Sequence, residues 1–538
     1  MDTPSTNECF ERFRSSFAVA NHHDINMAQE TLKELDDLRR CLATQLAQID
    51  EKRLAVQGVI SVIRSIPLEI LGEIFVVLLP FIMDHGARGE LIALTLVCKR
   101  WREACFLTRR LWSGISIKSC WCRRDRASFT WMHDHQELRY EKMSAWLQRA
   151  GTVPKVVRYA ASDFYCACGD GRRPCHTSLP ALQKLLKEGP ILDHFTLTVS
   201  ATRCYRKWYA SMADAAPTSS WASLKSFSLS FVENSAFTWD DFGERPHSVF
   251  TLLPAVEKLR IYLPDRDEAF VTEQVAMNTP INIPTAILNR LRELHLRWDW
   301  GGGSLFSVLR QSSLVENLTI DFNYGEPRWD DQMLMDFSKE SPLRMDKVTR
   351  FSLRRAGSDI LDFMCLPMLT HLDMELNVDG AESDRLSDRL AGFLHRSGII
   401  DSLQSLRVCD LVRTSAYTNI TLPNLKSLRR LTLDCNTFGY LIRSMKASRT
   451  TFLTQPFLPA LEYLDLHNLE RGFNLDAELP FLDERAGCSP CLITVSRVAD
   501  PMVREDELQK RLLTKTRAGH FLRCIPFQEY EVDKIWDY

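Results

Sequence analysis

Hydrophobic and polar positions change period several times along this chain, and each change marks an element. Residues 1–27 show no periodicity and predict a disordered tail. From Ala28 onward apolar residues return every seventh position, at Leu35, Leu42, Ile49, Val56 and Ile63. A second seam of Leu32, Leu38, Leu46 and Ile60 is broken by Arg39 and Arg53. The heptads predict an amphipathic helix over 28–64, which either supercoils with a second copy as a homodimer or lies on the domain that follows. Residues 65–117 predict a compact, mainly helical domain. A helix carries Pro67 in its first turn, where a missing N–H costs nothing. A glycine-containing loop follows over Asp84–Glu90, then a second helix from Leu91 to Phe106. Alternation from Leu111 to Ser119 predicts a strand.

Residues 118–538 carry one pattern ten times, apolar-x-x-apolar-x-apolar. Its instances begin at Leu192, Leu224, Val256, Leu291, Val315, Val348, Leu369, Leu403, Leu428 and Leu461, at steps of 21 to 35 residues. The last two apolar positions of each share one face of a short strand, and the first closes the turn into it. One unit cannot bury that face alone, whereas stacked units share a core and a parallel sheet. Residues between the apolar positions then line the opposite, concave face: Thr196, Ser228, Arg260, His295, Thr319, Ser352, Asp373, Arg407, Thr432 and Asp465. The pattern resembles irregular leucine-rich repeats, in which an Asn follows the last apolar residue by three. Asn323, Asn377 and Asn436 stand there. The long steps leave room for helices on the outer face. Residues 265–290 and 323–345 are acidic and polar loops, and Glu505–Phe527 predicts a helix and strand that close the array. The fold class is α/β: an N-terminal helix, a small helical domain, then a solenoid with a parallel sheet and outer helices.

Composition narrows the function. Of 538 residues 45% are hydrophobic and 25% charged, the balance of a globular chain rather than a disordered one. A net charge of -2 argues against whole-chain attraction to nucleic acid or an anionic membrane. Sixteen cysteines at irregular spacings predict reduced thiols, hence cytoplasm and/or nucleus. The longest apolar run, Ile74–Met83, is broken by Pro80 and falls far short of the ~20 residues of a membrane helix.

The most specific motif lies in residues 66–112. Ile66-Pro67-Leu68-Glu69-Ile70-Leu71 and Glu73-Ile74-Phe75 are followed by Leu91, Leu94, the run Leu96-Val97-Cys98-Lys99-Arg100-Trp101-Arg102, and Leu111-Trp112. This order resembles the F-box, the adaptor-binding module of cullin-RING ubiquitin ligases, with a longer link between its halves. Together with Leu147–Pro154 and the repeats, the chain is similar to the F-box-like families of mushroom-forming fungi. The resemblance implies a Skp-type adaptor docked on Ile66, Pro67, Leu68, Ile70, Leu71, Ile74, Phe75, Leu94, Val97, Cys98 and Trp101, with Trp101 and Trp112 holding the helices together. Taken alone, the same residues read as an ordinary core.

Other signals are weaker. Cys166, Cys168, Cys175 and His176 are zinc-type ligands without the paired spacing of common sites, and loop thiols are the alternative. Cys488 and Cys491 form a lone pair, and His133-Asp134-His135 reads as a helix start. Nine basic residues face two acidic ones between Lys99 and Arg126, but the motif already accounts for Lys99, Arg100 and Arg102, so nucleic acid is not expected. No phosphate loop, dinucleotide fingerprint, metalloprotease helix or nucleophile elbow is present. The expected protein is therefore a non-catalytic substrate receptor of a ubiquitin ligase, without metal or cofactor. It binds an unidentified target through Arg260, His295, Asp373, Arg407 and Asp465, aided by the acidic loops. The alternative is a leucine-rich-repeat scaffold that binds partners independently of ubiquitin ligation.

Overall fold

The computed structural model describes residues 22–60, 65–118, 139–160, 166, 175, 177, 179–212, 214–231, 248–264, 279, 281–298, 300–322, 342–376, 383–410, 422–434, 458–469, 491–497, 514–515 and 521–525. Two compact units emerge: residues 1–78 with 94–108, and residues 79–93 with 109–538.

The first unit is helical. Helix α1 spans His22–Ile60, starting six residues before Ala28, where no apolar period marks it; Asp24 in the first turn favours the positive end of the helix dipole. Helix α2 spans Leu68–Leu78. Pro67 precedes it, and its carbonyl accepts the Leu71 N–H at 3.0 Å to close the first turn. Helix α3 spans His85–Val97 and α4 Lys99–Leu107. The single helix expected from Leu91 to Phe106 is thus two, divided at Cys98, whose backbone is extended (φ -161°, ψ 171°). Within the first unit α2 packs on α4: Leu71, Phe75, Ala104 and Cys105 are buried. The Phe75 and Trp101 rings lie 5.1 Å apart. Gly72 permits this approach, since a Cβ there would meet Thr108 Oγ1 at 2.0 Å.

In the second unit, the loop expected over Asp84–Glu90 is instead the start of α3. Asp84 accepts the Ala87 N–H at 2.9 Å, and this N-cap outweighs Gly86 and Gly89. A 3-10 turn over Arg109–Trp112 leads into strand β1, Gly114–Lys118. Trp112 packs 4.7 Å from Trp146 of helix α5, Tyr140–Arg149. Met83 bridges Ile115 in parallel and covers the outer edge of β1, with Ser116 N–H donating to the Met83 carbonyl at 2.8 Å.

Among the described residues fifteen strands form one sheet. In sequence order they are β1, β2 (Val156–Ala160), β3 (His194–Val199), β4 (Ser226–Phe231), β5 (Lys258–Tyr262), β6 (Glu293–Arg297), β7 (Asn317–Asp321) and β8 (Arg350–Ala356). They continue as β9 (His371–Leu376), β10 (Ser405–Asp410), β11 (Arg430–Asp434), β12 (Tyr463–Leu469), β13 (Leu492–Arg497) and β14 (Phe521–Ile525). Each strand runs parallel to its predecessor. The two-residue strand Thr514–Lys515 lies antiparallel on β14. The helix expected from Glu505 lies outside the described residues except for Thr514–Lys515, and the strand expected after it is β14.

All ten patterned segments are strands, β3 to β12. Their apolar residues form two in-register rows, of which Phe195, Phe227, Leu259, Leu294 and Leu318 open one. These five are at most 1% exposed, and full burial of each such side chain contributes ~1.5–3 kcal/mol. From β2 to β11 the residue just before a strand offers one carbonyl to two N–H groups of the next unit. Lys155 thus accepts Asp193 and His194, and Arg429 accepts Glu462 and Tyr463. That recurring double acceptor locks the register. Strands β2 and β13 escaped the pattern because Pro154 and Pro490 occupy its first apolar position.

Helices fill several of the connections between strands. They are α6 (Pro180–Glu188), α7 (Thr202–Ala210), α8 (Gly302–Gln311) and α9 (Ser383–Ser397). Each buries an apolar stripe, such as Leu386, Leu390, Phe393 and Leu394 on α9. Asn323, Asn377, Asn436, His133-Asp134-His135, Cys488 and most of the loops 265–290 and 323–345 lie outside the described residues. No described helix is long and apolar enough to cross a membrane.

Candidate binding surfaces

The first surface belongs to the helical unit. Helix α2 turns Leu71 and Phe75 inward and leaves Ile70, Ile74, Val77 and Leu78 exposed, the last two at 85% and 66%. Positions i, i+4, i+7 and i+8 make one continuous apolar stripe. Leu96 and Val97 at the end of α3, and Phe106 and Leu107 on α4, are exposed as well. Of the residues expected at the adaptor, Pro67, Ile70, Ile74, Val97 and Cys98 are exposed, and Ile66, Leu68, Leu94 and Trp101 are half-buried. Leu71 and Phe75 are 2% and 1% exposed and belong to the unit's own packing, so they are corrected from contact residues to supports. Arg100 fixes the start of α2 by donating to the Ile66 carbonyl. Arg102 Nε donates to the Thr95 carbonyl at 3.1 Å across the Cys98 break. Burial pushes the Cys105 thiol up to about 11, which leaves it an inert core group. Sequence reasoning passed over Val77, Leu78, Phe106 and Leu107. The helical spacing of Val77 and Leu78 from Ile70 and Ile74 was visible, but the exposure of all four was not.

The second surface is one face of the sheet. Thr196, Ser228, Arg260, His295, Thr319, Ser352, Asp373, Arg407, Thr432 and Asp465 form a single in-register row from β3 to β12, with Arg158 adding to it from β2. Eleven flat strands at ~4.8 Å spacing would extend about 50 Å. Residues from β2 to β12 line one cleft of about 930 Å³ on this face. Seven cationic side chains line it, Arg110, Arg158, Lys258, Arg260, Arg350, Arg407 and Arg430, against three carboxylates, Glu293, Asp373 and Asp465.

Many of these charges already meet one another. Glu293 takes Lys258 at 2.9 Å and Arg260 at 3.2 Å. Against the opposing effect of its burial, these two cations hold its carboxyl below the ordinary range. Arg407 bridges Asp373 at 2.6 Å and Glu375 at 2.7 Å, and Ser352 donates to Asp373 at 3.1 Å. Arg430 reaches Asp465 at 3.5 Å.

The imidazoles of the cleft are kept neutral. Burial and then Arg350 lower His371. Burial also lowers His467, which Asp465 opposes and Arg407 reinforces. His295 packs 5.0 Å from Tyr262. Burial, then Arg260, Arg354, Arg355 and Arg297, push it down to about 3. It is absent from the cleft's lining, so of the five expected target contacts four line the cleft and His295 supports the row beneath it.

Of the cysteine segment, Cys166 and Cys175 are described and buried. Cys168 and His176 lie outside the described residues.

Residues 63–118 match the sequence model of the F-box-like family, so α2, α3, α4 and β1 constitute an F-box-like domain covering about a tenth of the chain. A search among curated proteins finds no match to this chain.

Proposed function

We propose that this protein is the substrate-recognition subunit of a Skp-cullin-F-box type ubiquitin ligase. The observation that carries this reading is the exposed apolar stripe of α2, Ile70, Ile74, Val77 and Leu78, inside a segment that matches the F-box-like family. Anchors at that spacing are what helix-in-groove recognition uses, and leaving them in water is unfavourable unless a partner covers them. A Skp-type adaptor, linked to a cullin and its RING partner, is that partner. The chain supplies no nucleophile. It holds the target so that transfer becomes nearly intramolecular.

The strand array is read as irregular leucine-rich repeats of the kind found in the F-box-like families of mushroom-forming fungi, acting in cytoplasm and/or nucleus. Its cleft takes the target. The excess of cationic over acidic side chains lining it favours an acidic segment of that target, and Arg260 and Arg407 of the row, with Arg430 beside it, are the contacts expected first.

The test is co-purification with a Skp-type adaptor. Ile70→Asp with Val77→Asp should abolish adaptor capture without unfolding the chain, because both side chains are solvent-exposed. Retention of adaptor by the folded double variant would favour the scaffold that works without a ligase.

A further inference from the structure

Three cysteines remote in sequence converge inside the second unit. Cys166 and Cys175 come from the segment between β2 and α6, and Cys204 from the first turn of α7. Their sulfur atoms all lie within 4.8 Å of one another, and the residues are 1%, 8% and 1% exposed. Among the described cysteines none is in a disulfide.

The cluster is firmly held. Tyr205, next to Cys204, donates to the Leu252 carbonyl at 3.0 Å, and Trp208 one turn on stacks 5.8 Å from Phe195 of β3. Arg203 donates to the Cys166 carbonyl at 3.2 Å, and the Cys175 sulfur lies 2.9 Å from Thr177 Oγ1. These contacts fix the donors on both sides of the cluster before any ion arrives.

We infer that Cys166, Cys175 and Cys204 supply three ligands of a structural zinc site that fastens the segment between β2 and α6 onto α7. Zinc–thiolate bonds of about 2.3 Å at tetrahedral angles put sulfurs roughly 3.8 Å apart, which the observed cluster accommodates without rearranging its elements. Sulfur-only donors in a dry pocket select a soft ion over magnesium or calcium. Each thiol gives up its proton, so one Zn²⁺ binding three thiols releases three protons and leaves a complex of charge -1. The sequence hid the site because its third ligand stands 29 residues beyond Cys175, inside a helix.

The experiment uses the full chain, co-expressed with its adaptor and purified without chelator. Elemental analysis should find about one zinc per chain, and X-ray absorption should find three sulfur neighbours at about 2.3 Å. Cys204→Ser should bring zinc to background, while Cys41→Ser, at an exposed position on α1, should retain it. The inference is overturned by a reduced wild-type chain that carries no zinc and takes up none from added Zn²⁺. Equal zinc in Cys204→Ser, or a native disulfide among the three cysteines in peptide mass spectrometry, would also overturn it. Should Cys204→Ser fail to fold, the sulfur count on wild type decides, and fewer than three sulfurs rejects the site.

Discussion

Arg407 shows how the cleft's residues carry two duties. It lines the cleft, yet it also neutralises Glu375, which is only 5% exposed. Arg407→Met should therefore destabilise the protein by about 3–5 kcal/mol in urea unfolding, because it strands a buried carboxylate. Reversing Arg407 and Asp373 to test recognition would confound binding with folding. Arg158→Glu with Arg350→Glu is the cleaner test, since both line the cleft and neither is fully buried. Arg355 is a related case. It adopts φ 52° where the ladder between β8 and β9 shifts register, and it holds Asp321, 5% exposed, through two contacts of 2.8 and 2.6 Å. A left-handed arginine is tolerated there because its guanidinium compensates a buried charge.

His295 makes a prediction about pH. Its folded value, about 3, lies below the 6.5 of an ordinary imidazole. Between those values the unfolded chain binds a proton that the folded chain refuses. Stability therefore falls as pH drops from about 6.5 toward 3 and is unaffected by this group above that window. His295→Gln should give urea midpoints that fall less steeply between pH 6.5 and 4 than those of the wild type; an unchanged slope would mean the imidazole is charged in the fold.

At the scale of elements, α1 poses the clearest question. Leu35, Leu42, Ile49 and Val56 are all more than half exposed, so the helix does not bury its seam on the domain that follows. The expected outcome is a dimer through this seam, with light scattering giving twice the chain mass and Leu42→Lys with Ile49→Lys restoring a monomer. A wild-type monomer at tens of micromolar would remove the coiled-coil reading. Strand β1 depends on Gly114 for a different reason. A Cβ there would stand 2.4 Å from the Phe81 carbonyl oxygen and 2.9 Å from Ile82 Cα, both backbone atoms that cannot rotate away. Gly114→Ala should detach the covering segment around Met83 from β1 and lower the thermal midpoint, with hydrogen exchange accelerating first at Ser116, whose N–H is bonded to Met83.

For the whole molecule, the apolar stripe of α2 and the cationic cleft lie in different compact units, so their failures should separate. Ile70→Asp with Val77→Asp should lose the adaptor and keep the target. Arg158→Glu with Arg350→Glu should do the reverse. Target capture should also weaken steeply with added salt, because exposed charges are screened over about 8–10 Å, whereas adaptor capture should change little. Equal salt sensitivity of the two would argue against an acidic target in the cleft.

The sequence by itself determined the register and order of the ten patterned strands, β3 to β12. The apolar spacing of ten segments can be satisfied only by stacking, and a period of two sends Arg260, Asp373, Arg407 and Asp465 to the other face. The Pro-x-Glu-Ile-Leu and Val-Cys-Lys-Arg-Trp runs likewise made the F-box-like domain legible. Tertiary structure decided which apolar residues of that domain are spent on its own packing. Leu71 and Ile70 are adjacent and equally apolar, yet the packing of α2 on α4 buries one and exposes the other. It also decided that cleft charges pair among themselves, since β9 and β10 bring Asp373, Glu375 and Arg407 together across more than thirty residues. The three-cysteine cluster is the extreme case. No local spacing encodes it, because its geometry exists only once α7 has docked on the sheet.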